Sequence, residues 1–376
     1  MTFSRNQPLQ QSYVDVIREL HWPLIIIVTL LGLIGVATLY SVAGGSFEPW
    51  AVRHAVRLLA GLALMVAIAM LGVRVIHASA YIIYGGLLAL LVGVELFGDK
   101  SMGAQRWLDI GFLRLQPSEF MRLGLVLALA RYFQSAHFDD ISLPQYLVVP
   151  VALIGAPAAL IYYQPDLGTT LMLAGLGIAI LFLAGVNWRY FAAAGTLAVV
   201  SIPFIWQALR PYQQERVLVF LDPERDPLGA GYHIIQSKIG IGSGGFFGKG
   251  FNEGTQSRLN FLPEKHTDFI FTIFAEEMGF IGCLVIIVLF VLALTFIFLI
   301  ARQVRSVFAR LLVSGVGISL FLYVLVNMAM VMGLAPVVGV PLPFISYGGT
   351  SLLTFFIGIG LVLAMERQAL IDLPRG

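Results

Sequence analysis

Charge is scarce in this sequence. Only 12% of its 376 residues are Asp, Glu, Lys or Arg, against about 25% in a soluble globular domain. Hydrophobic residues make up 59% and the mean hydropathy is +0.88, which excludes water as the main solvent. Cysteine is scarcer still: the single Cys283 excludes an intramolecular disulfide, and inside an apolar run it reads as a small core residue. A net charge of +2 from 23 basic and 21 acidic side chains offers no case for a nucleic-acid partner. Fixed-period repeats and low-complexity tracts are absent too.

What the chain has instead is long apolar runs. A membrane-spanning helix needs about 20 apolar residues, and ten stretches qualify: 22–42, 55–72, 78–97, 118–133, 146–163, 168–184, 191–208, 269–300, 308–333 and 345–365. The expected fold is an all-α polytopic membrane protein forming one domain over 1–376. Polar tails at 1–21 and 366–376 flank it, and a large loop at 209–267 separates spans seven and eight. The first tail, with Arg5 and Arg18 before the apolar run, resembles a signal sequence ending at Val42 to Gly45; with so many spans following, a retained helix is expected. Counting arginines toward the inside places both termini in the cytoplasm: the inner segments would hold ten and the outer short loops six basic residues. Glu48, Asp109, Glu119, Asp166, Glu264 and Asp268 then gather at the outer face, which suits an anionic substrate handled there. Within the large loop, Tyr232 to Ile241 has apolar residues at helical spacing and should lie along the membrane surface.

Chemistry concentrates in Arg258 to Gly282, where a polar loop becomes an apolar helix. Asp268 sits at that junction, with Lys265 and His266 before it and Glu276 and Glu277 after. Carboxylates at a membrane mouth are costly and point to use, although an aspartate at a helix start also serves as a cap. Gln116-Pro117-Ser118-Glu119 opens the fourth span, with Ser118 as a candidate cap. Arg122 falls on the same helix face as Glu119, so the two can pair. Gln164-Pro165-Asp166 reads as a tight turn, and Arg106-Trp107 as a basic, aromatic outer loop. The cluster Gly240 to Gly250 imitates dinucleotide and P-loop patterns, but it lacks their βαβ setting and the Ser/Thr after Lys249; a flexible turn near headgroups fits better. Glu264, His266 and Asp268 lack the further ligand a transition metal needs. Mg²⁺ or Mn²⁺ shared between a carboxylate and a substrate diphosphate is the cofactor they suit. Pro341 to Thr350 breaks the chain before the last span, as backbone lining a cavity does.

The stretches LGAGYHIIQSKIGIGSGG, FLPEKHTDFIFTIFAEEMGFIG, QPSEF, QPDLGT and VGVPLPFISYGGTSLL resemble the SEDS family of peptidoglycan polymerases, its elongation branch more than its division branch. The resemblance runs from the first span to the last. It implies a glycosyltransferase that polymerises lipid II on the outer face of the cytoplasmic membrane, beside a class B penicillin-binding transpeptidase and other elongation-complex membrane proteins. It implies Asp268 as catalytic aspartate and Glu119 as a second cavity carboxylate. At Arg122 the family often has lysine, and arginine, with a pKa above about 12, keeps the charge but not an acid–base role. Asp166 and Ser346 match further family positions. A hydroxyl attacking an anomeric carbon needs a base, which Asp268 can supply. The diphosphate leaving group needs cations, for which Arg53, Arg106, Lys249 and Lys265 are candidates. A transporter that flips lipid II along Glu95, Glu119 and Arg122, or a passive scaffold, are the competing readings; charge clustered at the outer mouth favours chemistry there.

Overall fold

The computed structural model describes residues 19–101, 104–109, 114–136, 141, 143–226, 230–255 and 264–369. The expected tails and the stretch from Arg258 to Pro263 lie wholly or largely outside them. Seven long helices come first: α1 (Trp22–Val42), α2 (Ala51–Ala69), α3 (Val73–Phe97), α4 (Pro117–Ser135), α5 (Pro144–Tyr163), α6 (Leu167–Leu183) and α7 (Trp188–Ala208). The large loop holds α8 (Pro211–Leu221), a short 3₁₀ turn and α9 (Ala230–Ser243). Three more long helices follow: α10 (Ile270–Gln303), α11 (Val307–Val331) and α12 (Gly349–Arg367). Eight of these helices are long and apolar enough to cross a membrane, and the chain is a multi-pass membrane protein. Counting the short apolar α6 and the buried, charge-bearing α4 approximates the ten spans expected from sequence.

Burial sorts the helices. α4, α11 and α12 are buried on nearly all sides and form the centre; a helix apolar all round belongs in a core. α2 packs along α12, α3 along α4, α10 along α11, and α6 against both α11 and α5. None of the apolar stretch of α7 is buried in protein, and large apolar side chains on α3, α5, α7 and α10 face outward. Bilayer must cover them, since burial of apolar surface from water is worth about 25 cal/mol per Å².

Three features depart from the sequence expectation. The segment before α4 forms a small antiparallel sheet, β1 (Asp99–Ser101), β2 (Ala104–Asp109) and β3 (Arg114–Leu115), in that order. The last helix begins at Gly349 rather than near 345, because Gly348 is non-helical at φ −141° and ψ 87° and Tyr347 N is committed to His266 O. α10 is not one straight rod: Gly279, at φ 64° and ψ −162°, breaks it.

That break is filled by the glycine-rich loop. Lys249 N and Gly250 N donate to Glu276 O and Glu277 O, while Phe280 N and Ile281 N donate to Gly245 O and Phe246 O. The loop thus satisfies the carbonyls and amides that the break would strand in an apolar setting. A Cβ at Gly279 would collide with Gly248 N, and its backbone conformation is open essentially to glycine alone. Gly279→Ala is expected to cost at least about 1–3 kcal/mol, seen as a lower melting temperature in detergent and faster proteolysis of the loop.

Candidate functional site

Asp268 lies on an irregular turn, one residue before the N-cap of α10. The N-cap itself is Phe269, with no side-chain cap, so Asp268 is not the helix cap that its position suggested. Neighbouring elements hold the turn. Ser346 Oγ donates to Thr267 O at 2.7 Å and accepts from Leu342 N. Tyr347 N donates to His266 O at 2.9 Å, and Asn327 Nδ2 on α11 donates to both Asp268 O and Val340 O. These bonds fix the backbone and leave the carboxylate without a hydrogen-bond partner among the described residues. Its Oδ2 lies 3.5 Å from where a Cβ on Gly339 would sit. Burial first, and the nearby Glu264 charge second, push the Asp268 carboxyl up to about 7. Such a group is half ionised near neutral pH, where a general base works best.

His266 stacks on Trp50, with centroids 4.8 Å apart, and tilts toward Tyr347. Burial lowers the pKa of both His266 and Lys265, and Lys265 is buried. Neither sits beside the carboxylate as a counter-ion that would draw its pKa down.

Glu119 and Arg122 meet as their spacing predicts, 3.1 Å apart and both buried. Ser118 is not the cap of this helix; Gln116 holds that position. Tyr323 Oη donates to Glu119 Oε1 at 3.1 Å. The Arg122 guanidinium lies between two rings, 4.0 Å from the Tyr323 centroid and 3.9 Å from that of Phe355. Its nitrogens and Glu119 Oε2 make no aligned hydrogen bond among the described residues, so the contact is ionic and stacked. A narrow cavity beside the pair is lined by Ser118, Arg122, Thr169, Ser319 and Tyr323.

Asp166 caps α6 by accepting from Thr169 N and lies 3.5 Å from Arg106 Nε. Arg106 also donates to Pro165 O, which makes it a brace for the turn. Trp107, half-buried, follows it on β2. Gly168 abuts Val338, next to the residue that faces Asp268. Tyr323 and Asn327, one turn apart on α11, therefore connect the two carboxylate centres: Asp268, Glu119, Arg122, Asp166, His266 and Ser346 belong to one assembly. Lys249 does not join it. Its Nζ lies 2.6 Å from Glu276 Oε1, which Thr255 also binds, while Ser41 binds Glu277. Glu276 and Glu277 are buried anchors for the loop. Arg53, on the first turn of α2, is exposed.

Sequence reading missed Tyr323, Asn327, Trp50 and Arg57. The polar spacing of four at 323 and 327, inside an apolar run, was the available signal. No group of three His, Cys, Asp or Glu side chains able to hold a metal ion occurs among the described residues. A divalent ion would need substrate oxygens to complete its shell.

A family model described as "Cell cycle protein", covering FtsW, RodA and SpoVE, matches residues 18–370. The chain is 46% identical over 311 residues to the peptidoglycan glycosyltransferase MrdB of Escherichia coli K12, covering 82% of this chain and 83% of MrdB. It is 38% identical over 296 residues to a probable peptidoglycan glycosyltransferase FtsW of Thiomicrospira cyclica, covering 78% and 75%. Among solved structures, a chain of a peptidoglycan synthase complex coordinating polymerization and crosslinking superposes with a TM-score of 0.82 at 33% identity, covering 93% of this chain and 98% of that one. The rod shape determining protein RodA of Thermus thermophilus superposes with a TM-score of 0.70 at 29% identity, covering 94% and 99%.

Proposed function

We propose, from the premise that this chain belongs to the SEDS family of peptidoglycan glycosyltransferases, that Asp268 is the general base with which it polymerises lipid II. The chain is a hexosyltransferase of peptidoglycan synthesis by that membership. The observation that carries the assignment of Asp268 is its carboxylate: fixed by its backbone, without a side-chain hydrogen-bond partner among the described residues, and raised to about 7. It takes the proton of the acceptor sugar hydroxyl as that oxygen attacks the anomeric carbon, and a single in-line displacement inverts the configuration there. Glu119 and Arg122 supply a fixed field beneath the site, with no proton transfer at Arg122. Arg53, exposed on α2, is the most accessible candidate for the diphosphate. Arg106, Lys249 and Lys265 have protein partners, so a substrate role would need those contacts to open. Trp107, Asp166, His266 and Ser346 shape the pocket. If Mg²⁺ or Mn²⁺ binds, Glu264 and Asp268 would hold it, and it would supply charge stabilisation to the diphosphate.

The arginine distribution supports an active site on the periplasmic side of the inner membrane. The synthase-complex relative supports a class B penicillin-binding transpeptidase as partner, with other elongation-complex proteins around the pair. The test incubates the purified protein and its transpeptidase with lipid II and resolves glycan products on a gel. Wild type should give a ladder and Asp268→Ala none; a normal ladder from the variant would refute the assignment. Lipid II flipping in vesicles that survives Asp268→Ala and fails in Glu119→Ala would favour the transporter.

A further inference from the structure

Arg57 is a guanidinium within a membrane-spanning helix, α2, and no carboxylate among the described residues pairs with it. It is half-buried, and no ion pair or hydrogen bond to it occurs among the described residues. An arginine inside a membrane span is costly and marks a functional site by default.

Two neighbours hold its plane. The Tyr347 ring lies 4.6 Å from Cζ, and Gly349 lets the guanidinium lie against the start of α12: a Cβ there would stand 3.0 Å from Cζ and 3.1 Å from Nε. The side chain is therefore pre-positioned with its N–H edge unpaired among the described residues, the form in which arginine recognises phosphate oxygens. The first turn of α12 carries no acidic residue and no side-chain cap. Arg53, one turn outward on the same face of α2, is a second cation that repels the first.

Asp268 is not the missing anion, because no cation draws its carboxyl down from about 7. Yet Tyr347, beneath Arg57, bonds through its N–H to His266 O, two residues before Asp268. The base and the cation are thus tied to one joint, His266 to Tyr347. Inverting sugar transfer needs both a base for the nucleophile and a cation for the leaving group at one centre.

We infer that Arg57 binds the diphosphate of a polyprenyl diphosphate-linked sugar donor and meets the charge that develops there as the sugar leaves. The inference rests on reading Asp268 as the base of that transfer. In the step, the acceptor O–H proton passes to Asp268 and the acceptor oxygen bonds to the anomeric carbon. The bond from that carbon to the diphosphate oxygen breaks, and its electron pair stays on the diphosphate, which gains one negative charge. No further reagent is needed.

The experiment uses the full chain with its transpeptidase partner in detergent. Lipid II polymerisation rates and undecaprenyl diphosphate binding are measured for wild type, Arg57→Ala and Arg57→Lys, with phosphatidylglycerol as the competing headgroup. Loss of a charged hydrogen bond is worth roughly tenfold to a hundredfold. Arg57→Ala should therefore lower kcat/KM and undecaprenyl diphosphate affinity by at least about tenfold, Arg57→Lys by less, and phosphatidylglycerol binding should not change. Equal rates and affinities in Arg57→Ala would overturn the inference. So would equal loss of both lipids, since that describes a general headgroup site. If Arg57→Ala aggregates, Arg57→Gln carries the same comparison. Binding is repeated in an Asp268→Asn background, where turnover plays no part. An active Asp268→Asn protein with Arg57-dependent binding would remove the base assignment and leave this site standing.

Discussion

Asp268→Asn should slow glycan polymerisation by about 10²–10⁴-fold, the usual contribution of a positioned base, while leaving the fold intact. The substitution keeps the shape of the side chain and removes only its ability to accept a proton. Wild-type rate should rise with pH through about 7, where Asp268 ionises, and level off above; the residual rate of the variant should lack that step. The same pKa governs stability, with the opposite benefit. The unfolded chain releases this proton near 3.8, the ordinary aspartate value, whereas the folded protein keeps it until about 7. Unfolding is therefore increasingly favoured as pH rises between those values, and the penalty persists above them. Asp268→Asn should melt at a higher temperature than wild type at pH 8, with the difference shrinking toward pH 4. A variant that is both less stable at pH 8 and within about tenfold of wild-type rate would contradict both halves.

Arg122→Ala should be the most damaging single change to stability. It strands the Glu119 carboxylate, buried and with one oxygen already lacking a hydrogen bond, and it empties the slot between Tyr323 and Phe355. Breaking one side of a buried ion pair costs about 3–5 kcal/mol, most of it the penalty of the charge left behind. Removing both charges in Glu119→Leu with Arg122→Met should recover much of that loss, because a buried pair is often no better than apolar residues of similar volume. Arg122→Lys should fall between, keeping the charge and losing much of the planar stacking that arginine makes with rings. Unfolding by SDS titration of wild type, Glu119→Leu, Arg122→Met and the double variant forms the double-mutant cycle that isolates the pair's coupling; strict additivity would mean the pair is not coupled.

The membrane helices were legible because a spanning segment must be continuous, apolar and about 20 residues long, and those requirements are local. The pairing of Glu119 with Arg122 was legible for the same reason, being fixed by helix geometry within one turn. The helix in the large loop was anticipated from Tyr232 to Ile241 and extends over Ala230–Ser243. What sequence spacing could not supply were contacts across the fold. Lys249 looked like a free cation near headgroups until the break at Gly279 brought it to Glu276, 27 residues away. Tyr323 looked like one more aromatic in an apolar helix, although its hydroxyl meets Glu119 across 204 residues. Arg57 and Tyr347 are further apart still in the chain. The small sheet between α3 and α4 escaped because its strands are short and lack a clear alternating pattern.

The break in α10 has a consequence for how the enzyme feels its membrane. As a straight helix its 34 residues would extend roughly 50 Å at 1.5 Å per residue, far more than the roughly 30 Å hydrocarbon core. The outer portion, Ile270 to Glu277, is buried in protein, whereas lipid-facing side chains begin at Phe280 and Ile281. Because the glycine-rich loop bonds to the chain on both sides of the break, a tilt of the lipid-facing portion is carried into that loop and into the buried portion next to Asp268. Polymerisation is therefore expected to change between vesicles of short and long acyl chains, and Gly279→Ala to alter that dependence.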